Sequence, residues 1–284
     1  VVSARSVPYA PRPDRRRDAL LLAVCLPVAG AILGILAIAA WASVITFWPY
    51  NLAPTWTHYD FAGNSPDGWL PYRNSLEMAG WAAFAGSLVI FSAAYLVEKG
   101  RGHAALRHAI RAFAMVPLAV PGLVLGIAYI FFFNAPGNPL GFLYGTMAIL
   151  VLSTVAHFYT VAHLTAVTAL KQVDPEFEAA SAALKVPFWT TYLRVTAPVC
   201  LPAILDIAVY LFVNAMTTVS AVVFLYAPDT KLASIAVLNM DDVGDTAPAA
   251  AMAMLIFATA FTVRFLFLAA ARTLVARTQA WRAR

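Results

Sequence analysis

The sequence predicts an all-α, polytopic membrane protein with six transmembrane helices. Three observations carry this. Of the 284 residues, 62% are hydrophobic and only 12% charged, with a mean hydropathy of +0.75, whereas a soluble domain carries about a quarter charged residues. Six apolar runs reach the roughly 20 residues that a helix needs to cross a hydrocarbon core about 30 Å thick. The runs are dense in aliphatic residues and Gly, and lack the alternating segments of about 10 residues that mark barrel strands.

In chain order the runs lie at about 20–47, 75–97, 113–133, 142–165, 201–226 and 247–271. The first follows basic residues and ends in "AIAAWAS", like a secretory leader, but it is too long for one. The chain begins with Val rather than Met, as a trimmed chain or a part of a longer polypeptide would. The third run holds Pro117 and Pro121, which bend it, with the freed carbonyls satisfied internally. Gly30/Gly34, Gly122/Gly126 and Gly141/Gly145 allow helices to approach closely. His157 and His163 of the fourth run read as hydrogen-bonded structural residues. The fifth run carries Asp206 near its start, then Asn214, Thr217, Thr218 and Ala221 at helical spacing with Ser220 beside them. Such residues either glue helices together or line a hydrated path for a small polar solute. Asp206 is either hydrated at the interface or part of that path.

Topology comes from Lys and Arg. If the spans alternate, 17 of the 19 basic residues fall on one side, and only Arg73 and Lys231 on the other. The positive-inside rule then places both termini in the cytoplasm. Arg5, Arg12, Arg101, Arg272, Arg277, Arg282 and Arg284 contribute to that count. The opposite loops are acidic and aromatic, with Trp48, Trp56, Trp69, Asp229, Asp241, Asp242 and Asp245. The net charge of +5 reflects this asymmetry and does not point to nucleic acid. Cys25 and Cys200 form no disulfide framework, and no metal-ligating or catalytic motif is present.

The stretch "EFEAASAALKVPFWTTYLRVTAP" (176–198) between the fourth and fifth runs is too polar for lipid and too patterned for a slack loop. Asp174 is placed to cap a helix, Pro175 suits its first position, and Glu176 and Glu178 favour the positive end of its dipole. Phe177, Ala180, Ser181 and Leu184 form one stripe. Pro187 then stops the helix and a second restarts, with Phe188, Tyr192 and Val195 on one face and Pro198 ending it. Two short helices of this kind need tertiary packing, against either a groove on a partner protein or the membrane interface.

"EAASAALKVPFWTTYLRVTAP" resembles the EAA loop of permease subunits of binding-protein-dependent type I ABC importers, which share the MetI-like fold. Glu178, Ala179, Ala180, Leu184, Trp189, Tyr192, Val195 and Pro198 match that loop in kind. Lys185 stands where Gly is usual, and Glu178 lies one residue further from the proline. A Lys enters the αL region less readily than Gly, so the corner is expected from Val186–Pro187. "MVPLAVPGLVLGIAYIFFF" (115–133), "NAMTTVSAVVFLY" (214–226) and the stretch 224–257 are similar to the branch that includes ferric-ion, polyamine and phosphonate permeases, and most of all to permeases for 2-aminoethylphosphonate.

The resemblance implies a permease subunit that is not itself an enzyme. It would form the translocation path for a small polar solute and take up 2-aminoethylphosphonate. The alternatives within this fold are ferric ion, a polyamine, or sulfate and thiosulfate. Coupling to a separate ATPase dimer would run through Glu178, Ala179, Ala180, Leu184, Lys185, Trp189 and Tyr192. The path would include Asn214, Thr217, Thr218, Ser220 and Asp206. No cofactor is expected in this chain, since no phosphate-binding Gly-x-x-x-x-Gly-Lys-Ser/Thr loop occurs in it; ATP and Mg would sit on the partner. The other implied partners are a second permease subunit or fused permease half, an extracytoplasmic substrate-binding protein and the lipid bilayer. The location is the bacterial inner membrane. The expected organisation is a cytoplasmic tail (1–18), a first helix and outer loop (19–69), a core permease domain (70–275) containing the coupling loop 174–198, and a second cytoplasmic tail (276–284). A proton-coupled carrier relaying through Asp206, Glu77 and His157, or an intramembrane enzyme, would have no use for a two-helix docking loop.

Overall fold

The structure, a computed structural model, describes residues 14–47, 49–100 and 102–278, without the side chains of residue 64 and those from 271 onward. Arg5, Arg12, Trp48, Arg101, Arg282 and Arg284 therefore lie outside the described residues, as do the greater part of each expected tail and the side chains of Arg272 and Arg277. The chain divides into two compact units, one comprising residues up to Gly68 with Val237–Leu255, the other Trp69–Ala236 with residues from Ile256 onward.

In the first unit, α1 (Arg15–Ala42) opens on Asp14, whose carboxylate accepts from the Arg16 and Arg17 N–H groups at 3.0 and 3.4 Å. None of its residues is buried, and a helix that is apolar all round suits lipid. The helix stops five residues before the expected run does. The chain then forms an antiparallel hairpin, β1 (Ile45–Phe47) and β2 (Asn51–Pro54), which no sequence signal announced. Ser43 ends α1 by donating to the Ala40 carbonyl at 2.6 Å and meeting the Tyr59 hydroxyl at 2.9 Å. A one-turn helix α2 (Phe61–Asn64) follows.

The second unit is built on α3 (Leu70–Lys99). Its buried residues, among them Met78, Ala82, Gly86, Ile90, Ala94 and Val97, recur every three or four positions and so form one stripe along the helix. That stripe packs on α7 and α11: Ile90, Phe91, Ala94 and Tyr95 share a core with Ala162, Ala166, Leu170, Ile207 and Leu211. A methyl group added at Gly86 would sit 2.7 Å from Leu211 Cδ1 and 2.9 Å from Val155 Cγ2, so the absence of a side chain there is what lets the helices meet.

The third, fourth and fifth spans are each broken. α4 (Ala104–Ala119) and α5 (Gly122–Phe133) meet at 111°. Pro121 forces this, because a residue before proline is driven from the helical region, and Val120 is extended at φ −103°, ψ 120°. Pro117 stays within α4. α6 (Met147–His157) and α7 (Tyr159–Gln172) bend by 58° at Phe158, with no Pro or Gly there to foretell it. The cassette follows as α8 (Glu176–Ala183), α9 (Phe188–Thr191), a π turn over Tyr192–Thr196 and α10 (Ala197–Val199).

Pro198 does not end the second cassette helix, as the sequence suggests. It lies within α10, and the 76° bend comes at Cys200, before α11 (Leu201–Thr217). The Ala197 N–H reaches back to the Tyr192 carbonyl. This wide turn accommodates the proline ring, which would crowd the carbonyl four residues before it. Pro202 then sits in the first turn of α11, where it costs no hydrogen bond.

The fifth run was expected to be helical to residue 226. Instead α11 stops at Thr217, and Thr218 is extended at φ −69°, ψ 139°. The Thr217 hydroxyl bonds back to the Val213 and Asn214 carbonyls, a pattern that competes with helix continuation. Two serines satisfy the unwound backbone: Ser234 Oγ donates to the Thr218 carbonyl at 2.6 Å and Ser153 Oγ to the Ala221 carbonyl at 2.7 Å. Irregular backbone at membrane depth requires such partners.

Ser234 lies in the first turn of α12 (Ala233–Asp242), in the loop between the fifth and sixth runs. Residues 232–236 are buried. Ser75 Oγ accepts from the Ala233 N–H at 2.8 Å, and the Asn74 amide donates to the Asp229 and Lys231 carbonyls, so this part of the loop is inserted. The last helix, α13, spans Thr246–Thr278. Counting each bent pair as one, the described residues hold three unbroken and three broken helical segments long and apolar enough to cross a membrane.

Candidate functional site

The cassette divides into an anchored half and an exposed half. In the anchored half, the Tyr192 hydroxyl lies 2.9 Å from Ser92 Oγ on α3, and its ring packs 4.8 Å from Tyr95 and 6.1 Å from Phe91. Tyr192 thus fastens the cassette to the membrane core, where it is half-buried. Thr191 is buried and meets the Ser181 hydroxyl, tying α9 to α8.

In the exposed half, Asp174 Oδ1 accepts from the Glu176 N–H at 3.0 Å, but α8 begins one residue later than the sequence suggests, with Pro175 rather than Asp174 in the capping position. Ala179, Ala180 and Lys185 are exposed. Leu184 is 76% exposed, and Phe188 and Trp189 are 57% exposed. Such large apolar side chains clustered at one corner form a surface that calls for a cover.

The corner itself is not made by Val186–Pro187. Lys185 adopts the αL conformation at φ 56°. Its N–H bonds to the Ala182 carbonyl at 3.1 Å, and the Val186 N–H bonds to the Ser181 carbonyl at 2.9 Å. These two bonds complete a Schellman cap. They offset the roughly 1–2 kcal/mol that a residue with a Cβ loses in this region.

Glu178 does not face outward. Its Oε2 lies 3.4 Å from Lys99 Nζ, with the two side chains 16% and 12% exposed. Lys99 also donates to the Val173 carbonyl at 3.3 Å. Beside this pair opens a cleft of about 360 Å³ lined by Glu98, Lys99, Lys171, Val173, Pro175 and Glu178. Glu98 in turn pairs with Arg111 of α4 at 2.8 Å. Sequence reading missed Lys99, because nothing local links the end of one span to an acid 79 positions later.

The proposed path residues separate into three groups. Asn214 Nδ2 and the Thr217 hydroxyl bond to carbonyls of their own helix end, while Thr218 is buried. Ser220 lies where two broken spans approach: a methyl group on Gly122, the first residue of α5, would run into its hydroxyl and lie 3.1 Å from His157 Cε1 at the end of α6. The breaks of the third and fourth spans and the unwound end of the fifth therefore converge on Gly122, His157 and Ser220. Asp206 is apart from this point. It pairs with Arg264 of α13 at 2.9 Å, both side chains about half exposed at 48% and 49%. His163 is buried with its ring stacked on Tyr159 at 5.4 Å. Among the described residues no group of three or more His, Cys, Asp or Glu is placed to hold a metal ion.

Comparisons with known proteins bear on the family and the fold. Residues 86–276 match the family described as "Binding-protein-dependent transport system inner membrane component". The chain is 34% identical over 192 residues to the putative ferric transport system permease protein FbpB 1 of Haemophilus influenzae, and 33% identical over 183 residues to the ferric transport system permease protein FbpB of Actinobacillus pleuropneumoniae. The matches take in 65% and 64% of this chain but only 29% and 26% of those relatives. The chain is thus similar to about a quarter of each. It is also 35% identical over 96 residues, 34% of its length, to 80% of the putative ferric transport system permease-like protein AfuB of Escherichia coli.

Among solved structures, a bacterial ABC transporter involved in the import of the acidic polysaccharide alginate superposes with a TM-score of 0.74 at 16% identity, covering 91% of this chain and 96% of that one. A chain of the inward-facing MetNI methionine ABC transporter superposes with a TM-score of 0.60 at 16% identity, covering 72% and 96%. Both likenesses concern the fold alone.

Proposed function

We propose, from the premise that this chain belongs to the family of binding-protein-dependent transport system inner membrane components, that it forms part of the membrane path of an ATP-driven importer and takes its power stroke through α8. The observation that carries this is the corner of Leu184, Phe188 and Trp189, apolar and exposed on a loop otherwise anchored by Tyr192. A lever needs that combination: one end fixed to the spans, the other offered to a partner. The partner is a cytoplasmic ATPase dimer, with a second permease subunit or fused permease half completing the path and an extracytoplasmic binding protein delivering the solute. Both termini then lie in the cytoplasm, as the distribution of Lys and Arg requires.

The solute we favour is 2-aminoethylphosphonate, on the resemblance carried by residues 224–257. A second reading, ferric ion, is favoured by the names of the relatives FbpB 1, FbpB and AfuB. Calorimetry of the cognate binding protein with each solute separates them: tight binding of ferric ion without 2-aminoethylphosphonate binding refutes the first.

The coupling role is tested by crosslinking Leu184→Cys in a Cys25→Ser background, since Cys25 is exposed and Cys200 buried. The expected product joins this chain to the ATPase subunit. Products confined to lipid or to this chain's own helices refute the role.

A further inference from the structure

We propose that Lys99 is a positioning residue that latches the coupling helix α8 to the central span α3, so that the two move as one body. The inference rests on the importer reading above and assigns a role that the exposed corner does not supply. Three observations carry it. Lys99 Nζ reaches Glu178 Oε2 at 3.4 Å and the Val173 carbonyl at 3.3 Å, gripping α8 and the end of α7 together. Both charged side chains are largely withdrawn from water, at 12% and 16% exposure, where a charge pair is screened less than on a surface. Lys99 also ends the helix that makes the core with α7 and α11.

The alternative path for force runs through Tyr192, but that residue anchors the far side of the proline corner. A pull on α8 would reach it only through Pro187 and the αL turn at Lys185, or through the single hydroxyl contact between Ser181 and Thr191. The Lys99–Glu178 pair bypasses the corner. Glu98, the next residue, holds Arg111 at 2.8 Å, so the same end of α3 is tied to α4, the helix that leads into the break at Pro121. A displacement of α8 thus reaches a broken span through two ion pairs and about two turns of helix.

The test uses the complete transporter, this chain with its partner permease and ATPase, reconstituted in liposomes. Two readouts need no knowledge of the solute: amide exchange of residues 176–184, and the ATP hydrolysis rate with and without the solute-loaded binding protein purified from the same cells. Lys99→Met and Glu178→Gln should each raise exchange across α8 about tenfold or more, the loss expected when a charged hydrogen bond is removed. Each should also erase the stimulation of hydrolysis. The double variant should be no worse than either single, because both break one interaction. Lys99→Arg should restore both readouts.

Unchanged exchange and stimulation in Lys99→Met overturn the latch. So do additive effects in the double variant, or failure of Lys99→Arg to rescue. If Lys99→Met does not insert, Glu178→Gln, on the exposed helix, decides alone: unchanged exchange and stimulation in that variant overturn the latch equally. Failure of the importer reading is distinguishable, because the wild-type assembly would then bind no ATPase at all.

Discussion

Gly122 marks the point where the broken spans meet, and adding one methyl group there has a calculable effect. Its backbone is outside the positive-φ region, so the change to Ala is purely steric. The new Cβ would overlap the Ser220 hydroxyl, lie 2.9 Å from Ser220 Cβ and 3.1 Å from His157 Cε1, against the roughly 3.5–4.0 Å of comfortable carbon contact. Overpacking of this kind costs about 1–3 kcal/mol. If this arrangement and an alternative one interconvert during transport, and only this one closes the junction, the same energy shifts their ratio by about 5- to 150-fold. The assay pairs thermal melting of the purified assembly with ATP-driven uptake. Gly122→Ala should lower the melting temperature by roughly 2–12 °C, taking a few degrees per kcal/mol, and depress uptake. Ser220→Gly removes the two nearest of these three atoms, leaving His157 Cε1, so the double variant should recover most of the loss. Gly80→Ala is the control: nothing lies within 4 Å of a Cβ there, and the substitution should gain up to about 1 kcal/mol of helix propensity. A Gly122→Ala protein that melts and transports like wild type, or a double variant no better than Gly122→Ala, refutes the convergence of the three breaks at this point.

Leu184→Asp should abolish ATPase binding, since burying a leucine is worth about 1.5–3 kcal/mol, while melting of the free chain stays within about 0.5 kcal/mol because the residue is exposed; a pull-down at wild-type yield contradicts the docking corner. Lys185→Gly should keep or slightly raise stability and retain transport, and Lys185→Val should lose both, because β-branching penalises the αL conformation further; equal melting temperatures for the two would remove the Schellman cap from the account. Asp206→Asn breaks a half-exposed pair worth about 0–1 kcal/mol and should leave uptake kinetics unchanged, so a large loss of uptake returns Asp206 to the solute path. Asn214→Leu should reduce uptake with melting unaltered, and unchanged kinetics would assign Asn214 to helix packing.

What was legible in the sequence divides along a physical line. Composition and run length fix the membrane class because the bilayer is a solvent that acts on every residue alike. The cassette was legible for a different reason: Asp174, Pro175 and Pro187 act on their immediate neighbours, and their effects are local. The breaks at Phe158 and Thr218 were not legible, because each depends on partners distant in sequence. The unwound segment after Thr217 is tolerable only because Ser153 and Ser234, on other elements, donate to its exposed carbonyls. Lys185 inverts the lesson. Propensity argues against a lysine in the αL region, but two backbone hydrogen bonds close around it. The helix end needs that geometry whichever residue occupies it. The same reasoning applies to Glu178. Its place in the motif is readable, but its direction is not, and direction decides whether a carboxylate greets a partner or locks a lever. In this structure it turns inward to Lys99. On the proposed reading, the contact with an ATPase falls to the apolar corner, and the acid supplies the stiffness that makes the contact mechanical.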